Sequence, residues 1–423
     1  MPGDRGPVPR GDPMLKKISV ADLRLGMYLH ALDGPWLDHP FWRSKFLLED
    51  GADLQAVQRS GLTHCWIDNA KGDDVGSVVA PLPATVPAAP RAPAPAPPPA
   101  AAVRPPTSSF EDELAQAARL CRKSRGAVQQ LFGEVRMGKA LSAQSMQPLV
   151  EELTESVFRN PGALVSLARL KTKDDYTYMH SVAVCALMIA LGRELGMDAQ
   201  ACREAGLAGL LHDVGKALVP LDVLNKPGKL TDAEFGVMRS HPERGHALLT
   251  EGGSAGAAVL DVCLHHHERI DGTGYPNRLV GDAISPLARM GAICDVYDAV
   301  SSARVYKAAW DPAESLSRMA SWQGHFDKAM FASFVRSLGI YPTGSLVRLR
   351  SGRLAVVVQQ HPKDLTLPTV KVFFSTRSNL PTAVTLLDLS RKDAGDVIVG
   401  RESRSAWNFP HLDELWAGPA LRR

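Results

Sequence analysis

The chain has 423 residues, of which 45% are hydrophobic and 22% charged, and its 48 Lys and Arg residues exceed its 45 Asp and Glu residues by three. These proportions are typical of globular proteins with more than one domain. A net charge of +3 over this length argues against general affinity for DNA or RNA polymers or for an anionic membrane. An anionic ligand must therefore be bound by a local group of cations.

Cysteine spacing and hydropathy indicate where such a chain resides. The six cysteines are scattered and none forms a CxxC pair, which argues against a disulfide framework or a zinc–thiolate site. The longest apolar stretch, residues 182–191, is about half the ~20 residues that a membrane helix needs. Residues 1–13 lack the apolar segment of a secretory signal. We therefore expect a cytoplasmic protein without a membrane segment.

Four segments follow one another, and together they predict a mainly α fold class. Residues 14–80 predict a small α+β domain, a possible site of regulation, with strands at 15–20 and 63–68 and a helix at 50–60. Residues 81–107 predict a linker, because 11 prolines and nine alanines between 81 and 106 disfavour a packed core. Residues 108–340 repeat apolar side chains at helical spacing. Residues 341–423 predict a small β-rich unit that begins with two strands joined at Ser351-Gly352 and continues with a third strand at 368–376.

Histidines are concentrated in the helical segment, and one of them precedes an aspartate at the end of the apolar run AGLAGLL. Adjacent helical side chains diverge by about 100°, so His212 and Asp213 cannot both face an apolar core without a cost in free energy. A buried aspartate is costly unless it is paired or bound to a cation. Imidazole with carboxylate suits iron, manganese, zinc or nickel better than calcium or magnesium. The pattern predicts a transition-metal site, although any single histidine, such as His246, is more often an ordinary surface residue.

Two long segments resemble the HD-GYP family. They are LLHDVGKALVPLDVLNKPGKLTDAEFGVMRSHPERG and HHERIDGTGYPNRLVGDAISPLARMGAICDVYDAVSSARVYK, and the resemblance covers roughly residues 170–335. The N-terminal run LRLGMYLHALDGPWLDHPFW resembles the domain of unknown function often found in front of HD-GYP modules. The resemblance implies a helical HD-type phosphohydrolase that cleaves cyclic di-GMP to pGpG, with GMP as a further product, in bacterial second-messenger signalling.

The same resemblance implies a centre for two divalent metals, iron or manganese before zinc or nickel. Asp213 takes the place of the residue that bridges the two metals. Tyr176 stands where some members have a glutamate for a third metal, which favours two. His265 is an additional histidine directly before the matching pair. The implied ligands are His180, His212, Asp213, His241, His266, His267 and Asp295.

The resemblance also implies catalytic and substrate-binding residues. Asp213 is one catalytic residue, and Lys216 is the other, positioned to neutralise the phosphate or to protonate the leaving 3′ oxygen. Gly274 and Tyr275 lie in the loop that gives the family its name, and Arg304 and Lys307 supply local cations for the substrate. Read without the resemblance, this loop is a plain turn and the cations belong to a solvated surface.

Two alternative functions remain open at the level of sequence. One is a catalytically silent cyclic di-GMP receptor or adaptor, which the complete set of seven implied ligands disfavours. The other is the same chemistry on another cyclic dinucleotide. A signalling protein that contacts the N-terminal domain and a homodimer are further possible partners.

Overall fold

The chain divides into two compact units, Met1–Val103 and Arg104–Arg423, which are described separately. The predicted linker at 81–107 lies outside the described residues, as do Arg304 and Lys307. The division into four segments therefore stays a prediction. None of the helices in the described part is long and apolar enough to cross a membrane. This computed structural model describes residues 15–33, 46–49, 51–59, 63–73, 110–171, 176–302, 309–361 and 363–418.

The N-terminal unit is a small α+β fold on a four-stranded antiparallel sheet with strand order β1-β4-β2-β3. The strands predicted at 15–20 and 63–68 and the helix predicted at 50–60 are confirmed to within one residue at each end. Two further strands were not predicted. The elements are β1 (Leu15–Ser19), β2 (Tyr28–Asp33), β3 (Phe46–Leu47), α1 (Gly51–Arg59) and β4 (His64–Asp68).

Helices dominate the second unit, so the predicted mainly α fold class is confirmed. Most of them carry apolar side chains at three- and four-residue spacing and bury that face against their neighbours. The helices are α2 (Phe110–Arg136), α3 (Gln147–Arg159), α4 (Pro161–Arg169), α5 (Tyr176–Glu194), α6 (Ala199–Leu211), α7 (Leu221–Leu224), α8 (Asp232–Arg239), α9 (His241–Glu251), α10 (Ala257–His265), α11 (Pro286–Ser301), α12 (Pro312–Ser321) and α13 (Lys328–Leu338).

The pair α5 and α6 forms the centre of this unit. Helix α5 is buried continuously from Met179 to Gly192, because it is apolar around its whole circumference. Helix α6 crosses it closely, since a Cβ at Gly209 would lie only 3.0 Å from the carbonyl oxygen of Val184. The crossing places the C-terminal end of α6 beside the first turns of α5, where the functional side chains lie.

A five-stranded antiparallel sheet with strand order β8-β7-β6-β5-β9 follows the helices. The predicted hairpin at Ser351-Gly352 is present between β5 and β6, and the third predicted strand is β7. Strands β8 and β9 were not predicted. The elements are β5 (Leu346–Leu349), β6 (Arg353–Gln359), β7 (Thr369–Ser375), β8 (Leu380–Asp388), β9 (Ile398–Arg401) and α14 (Leu412–Ala417).

Candidate metal centre

The seven predicted metal ligands come together, six of them at or near the ends of helices and one in the middle of a helix. His180 lies in the second turn of α5, and His212 and Asp213 directly follow α6. His241 is the first residue of α9, while His266 and His267 directly follow α10 and Asp295 lies in the middle of α11. Six of the seven are buried, and His267 is half-buried.

Asp213 is the centre of this cluster, because its two carboxylate oxygens face different histidines. Oδ2 lies 3.4 Å from Nε2 of His180 and 3.3 Å from Nε2 of His212. Oδ1 lies 3.1 Å from Nε2 of His241 and 3.6 Å from Nε2 of His266. One carboxylate thus joins two sets of imidazoles.

Backbone carbonyls determine which nitrogen three of these histidines turn inward. Nδ1 of His212 lies 2.7 Å from the carbonyl oxygen of Gly209, and Nδ1 of His241 lies 2.7 Å from that of Met238. Nδ1 of His266 makes the equivalent contact with a carbonyl three residues earlier, at 3.0 Å. A carbonyl only accepts, so each Nδ1 carries the hydrogen and each neutral ring presents the lone pair of Nε2 to Asp213.

This arrangement leaves acceptors facing acceptors. Nε2 of His241 lies 3.3 Å from Nε2 of His266, and neither carries a hydrogen in the neutral form. Nε2 of His212 and Oδ1 of Asp213 are buried without a hydrogen-bond partner among the described residues. Buried polar atoms are normally satisfied. Lone pairs that converge without a donor fit a cation, and imidazole with carboxylate fits a divalent transition metal.

Among the residues that the structure describes, two groups of side chains could each hold such an ion, and they share Asp213. Within each group the ligand atoms lie within 4.8 Å of one another. Asp295 belongs to neither group but contacts a member of each: its Oδ1 lies 3.0 Å from Nε2 of His180 and its Oδ2 lies 3.6 Å from Nδ1 of His267. One group is His180, His212 and Asp213; the other is Asp213, His241, His266 and His267.

Burial and charge set the protonation of the cluster. Burial lowers the pKa of His241 to about 4 and also lowers the pKa of His212, which keeps both rings neutral near pH 7. Burial likewise opposes charge on His180, but its contacts with Asp213, Asp295 and a third carboxylate prevail and raise its pKa to about 10. In the metal-free cluster a proton on His180 therefore offsets the carboxylates. A bound cation would take over that role.

The third carboxylate is Asp298, which the sequence analysis missed. Its Oδ2 lies 2.6 Å from Nδ1 of His180 and also accepts a hydrogen bond from the ammonium group of Lys171. Both Asp298 and Lys171 are almost fully buried. A carboxylate behind a ligand histidine fixes its ring and raises its basicity, so Asp298 orients His180 toward the site.

Lys216, a predicted catalytic residue, lies beside the central carboxylate. Its Nζ donates a hydrogen bond to Oδ2 of Asp213 across 2.5 Å, and its side chain is 20% exposed. It is thus a cation placed between the cluster and solvent, on the turn that follows the HD pair.

The loop at 271–279 covers one side of the cluster. The ring of Tyr275 stacks on that of His267 with centroids 4.7 Å apart. A Cβ at Gly274 would lie 2.4 Å from the backbone nitrogen of Arg269, so this glycine allows the loop to pack on its own helix end. The buried Glu268 accepts hydrogen bonds from the backbone nitrogens of two later loop residues at 2.7 and 3.0 Å, which fixes the loop.

The remaining predicted residues differ in their placement. His265 turns away from the cluster, with Nδ1 2.8 Å from Asp261 and Nε2 3.0 Å from the amide of Asn277. Arg304 and Lys307 lie outside the described residues, so their substrate contacts stay predictions.

The sequence contained one indication of the missed residue Asp298. It stands three residues after Asp295 and therefore shares a face of α11 with it.

Comparisons with known proteins match this architecture. Residues 15–146 match the model described as "Domain of unknown function (DUF3391)", and residues 153–330 match that described as "HD domain". The chain is similar to the cyclic di-GMP phosphodiesterase PA4108 of Pseudomonas aeruginosa, with 53% identity over 413 residues, which cover 96% of this chain and 97% of the relative.

More distant similarities follow. The cyclic di-GMP phosphodiesterase response regulator RpfG of Xanthomonas campestris is 38% identical over 205 residues, which cover 47% of this chain and 53% of the relative. A solved structure, Bd1817, a HDG"Y"P protein from Bdellovibrio bacteriovorus, is 17% identical with a TM-score of 0.46 and covers 76% of this chain and 98% of its own. The near full-length match at 53% identity establishes the relationship. The chain belongs to the HD-GYP family of HD-domain phosphodiesterases, in the form that carries a DUF3391 domain in front of the HD domain.

Proposed function

We propose that this chain is a metal-dependent phosphodiesterase that hydrolyses cyclic di-GMP. The observation that carries the proposal is the position of Asp213, whose two oxygens face separate pairs of buried histidines. The relative named cyclic di-GMP phosphodiesterase PA4108 shares 53% identity across nearly the whole chain, which supports cyclic di-GMP as the substrate.

The cofactor in this proposal is a pair of divalent transition metals, with iron or manganese as the first choice and zinc or nickel as the others. His180 and His212 would hold one ion, and His241, His266 and His267 the other, with Asp213 shared. Such a pair lowers the pKa of water and offsets the charge of a phosphodiester when it is bound. Mixed nitrogen and oxygen ligands suit these metals.

The side chains of this site have distinct roles in hydrolysis. Asp298, which accepts a hydrogen bond from Lys171, holds the ring of His180, and three backbone carbonyls hold three further histidines. The proposed ligands are therefore organised before substrate binds. Lys216 supplies a positive charge next to Asp213 and a proton for the leaving 3′ oxygen. Tyr275 covers His267 and limits the access of water from that side.

The reaction opens the substrate ring at one phosphodiester bond and gives the linear dinucleotide pGpG. A second round at the remaining phosphodiester bond would give GMP. A time course separates these products, because pGpG must rise before GMP if both come from the same site.

Two further parts of the proposal concern the location of the protein in the cell and its protein partners. A cytoplasmic location is supported by the six cysteines, which are all buried free thiols, as a reducing compartment permits. The N-terminal unit would act as a regulatory module that contacts a signalling protein, and the chain would be able to form a homodimer. Sedimentation of the purified chain tests the latter directly.

The experiment compares the wild-type chain, loaded with manganese or ferrous iron, with His212→Ala and Asp213→Ala, and resolves the products by chromatography. We expect pGpG from the wild type only. If the wild type binds cyclic di-GMP but neither it nor the variants cleave the compound, the chain is a receptor instead. Preferred cleavage of a mixed cyclic dinucleotide, in competition with cyclic di-GMP, would change the substrate but not the chemistry.

A further inference from the structure

Arg239 is a cation beside the metal centre for which the sequence analysis assigned no role. It is the last residue of α8, two positions before His241. Its guanidinium carbon lies 4.6 Å from the centroid of the Tyr275 ring. Tyr275 in turn stacks on His267, so Arg239 lies one aromatic layer from the predicted ligands.

The backbone places this arginine firmly. The carbonyl oxygen of Met238 accepts the Nδ1 hydrogen of His241 at 2.7 Å, and the hydroxyl of Ser240 donates to the carbonyl of Val237 at 2.7 Å. The turn that delivers His241 to Asp213 therefore also fixes the Cα of Arg239.

Two aromatic rings flank the guanidinium. Besides Tyr275, the ring of Phe235, one helical turn earlier on α8, has its centroid 5.9 Å from the guanidinium carbon. Phe235 is 50% exposed on a helix that has no buried residue in its described part, so core packing does not explain this side chain. A guanidinium held by ring faces keeps its in-plane N–H groups available for another acceptor.

The charge of Arg239 is not neutralised by a carboxylate. Within the described ranges the guanidinium makes no ion pair and no hydrogen bond, and its recorded contacts are with the two aromatic rings. By contrast, Lys216 and Lys171 each pair with a carboxylate of the site. An arginine fixed beside the metal centre without an anionic partner fits a ligand that brings its own anion.

A cyclic dinucleotide carries two phosphates, and only one is cut in each round. We propose that Arg239 binds the phosphate that is not being cut, and that Tyr275 acts as a positioning residue that holds the guanidinium; the inference rests on the proposed function. Since the Tyr275 ring lies against both His267 and Arg239, its contribution to substrate binding passes through Arg239.

Steady-state kinetics on Arg239→Gln and Arg239→Lys test this assignment, with Arg244→Gln as the matched control. Arg244 is exposed on α9, and its guanidinium donates to the backbone carbonyl of Leu218 rather than to the site. Two substrates are compared: cyclic di-GMP, and bis(4-nitrophenyl) phosphate, which has a single phosphate. Metal content and melting temperature show whether each variant is folded and loaded.

Loss of one charge-assisted contact should raise the KM for cyclic di-GMP roughly 10- to 100-fold in Arg239→Gln, with a much smaller change in kcat. Arg239→Lys should lie between Arg239→Gln and the wild type, and Arg244→Gln should match the wild type. The loss on bis(4-nitrophenyl) phosphate should be at least tenfold smaller. An unchanged KM, or equal losses on both substrates, would overturn the proposal.

Two further measurements test the phosphate contact of Arg239 and the positioning role of Tyr275 separately. In the first, cyclic di-GMP and cyclic di-AMP are used as inhibitors of bis(4-nitrophenyl) phosphate hydrolysis. If Arg239 contacts a phosphate, Arg239→Gln should weaken inhibition by both compounds by the same factor. Weaker inhibition by cyclic di-GMP alone would overturn the phosphate assignment. Tyr275→Phe should keep the low KM and Tyr275→Leu should raise it, with little further increase when Arg239→Gln is added. Additive effects of these two changes would contradict the positioning role.

Failure of this inference is distinguishable from failure of the proposed function. If the wild type does not cleave cyclic di-GMP, the proposed function fails. If the wild type cleaves it and Arg239→Gln behaves as the wild type does, only the role of Arg239 is lost.

Discussion

Asp298 lies 2.6 Å from Nδ1 of His180 and fixes which nitrogen of that histidine faces the metal centre. A carboxylate accepts, so Nδ1 carries the hydrogen and Nε2 points to Asp213 and Asp295, at 3.4 and 3.0 Å. Because Asp298 and Lys171 are both almost fully buried, they compensate each other's charge without help from water.

We expect Asp298→Asn to weaken metal binding roughly 10- to 100-fold, because His180 loses the charge that raises its basicity. Activity should return at high manganese concentration, which a collapsed fold would not allow. The double variant Lys171→Met/Asp298→Asn removes the buried charge that the single change leaves unpaired. Asp393→Asn, on an exposed aspartate paired with Arg391, is the control. Unchanged manganese affinity in a titration of activity would contradict the role of Asp298.

Lys216→Met should lower kcat for cyclic di-GMP by about 10²-fold while the metal content stays the same, since the variant loses a cation and a proton donor at Asp213. Lys216→Arg separates the two roles, because arginine keeps the charge but does not release a proton. A kcat equal to that of the wild type in Lys216→Met would remove this residue from the reaction.

Gly215→Ala should disrupt the site from the backbone. A Cβ at this position would lie 1.9 Å from the carbonyl oxygen of His241 and 2.6 Å from the nitrogen of Gly245, so α9 must move and His241 with it. We expect a loss of about 1–3 kcal/mol in stability together with weaker metal binding. Gly236→Ala is the matched control, since a Cβ there meets nothing within 4 Å. Equal melting temperatures and metal contents for the two variants would show that the packing at Gly215 is not required.

The C-terminal part of the chain contains a pH-sensitive ion pair. Asp413 accepts two hydrogen bonds from the guanidinium of Arg404 at 2.9 Å, and although burial opposes the charge, this contact lowers the pKa of Asp413 from 3.8 to about 2. The folded pKa lies below the unfolded value, so the stabilisation of about 2 kcal/mol is present above pH 4 and is lost as the pH falls toward 2.

Thermal melts of the wild type and Asp413→Asn between pH 7 and pH 3 measure this contribution. The gap between the two melting temperatures should be constant from pH 7 to pH 5 and should narrow as the pH approaches 3. A gap that does not depend on pH would show that the carboxylate of Asp413 has an ordinary pKa.

Sequence periodicity was sufficient for the helical segment and for strands β1, β4, β5, β6 and β7. It missed β2 and β3 in the N-terminal unit. It failed for β8, Leu380–Asp388, because most of this edge strand is exposed on both faces and therefore shows no alternation of apolar and polar residues. It also failed for β9, Ile398–Arg401, where a short run interrupted by Gly400 gives too weak a signal. Both strands depend on pairing with neighbours distant in sequence.

The resemblance to the HD-GYP family named seven side chains that the structure brings together, whereas it did not name the residues that orient them. Asp298 and Lys171 are brought together across 127 residues of sequence, and Arg239 meets Tyr275 only through the packing of α8 near the loop at 271–279. Individually such residues read as a helix aspartate, a loop lysine and a surface arginine. The roles of Lys171 and Arg239 arise from tertiary contacts that no local pattern contains, and for Asp298 the sequence offers only its position three residues after Asp295.

The most direct test of the central claim is hydrolysis of cyclic di-GMP by the full chain after chelator treatment and again after manganese or ferrous iron is restored. The metal-free protein should be inactive, and the reloaded protein should form pGpG with about two metal ions bound per chain. Cleavage by the metal-free protein, or no cleavage after two ions have been restored, would contradict the account of Asp213 as the shared ligand of a two-metal phosphodiesterase.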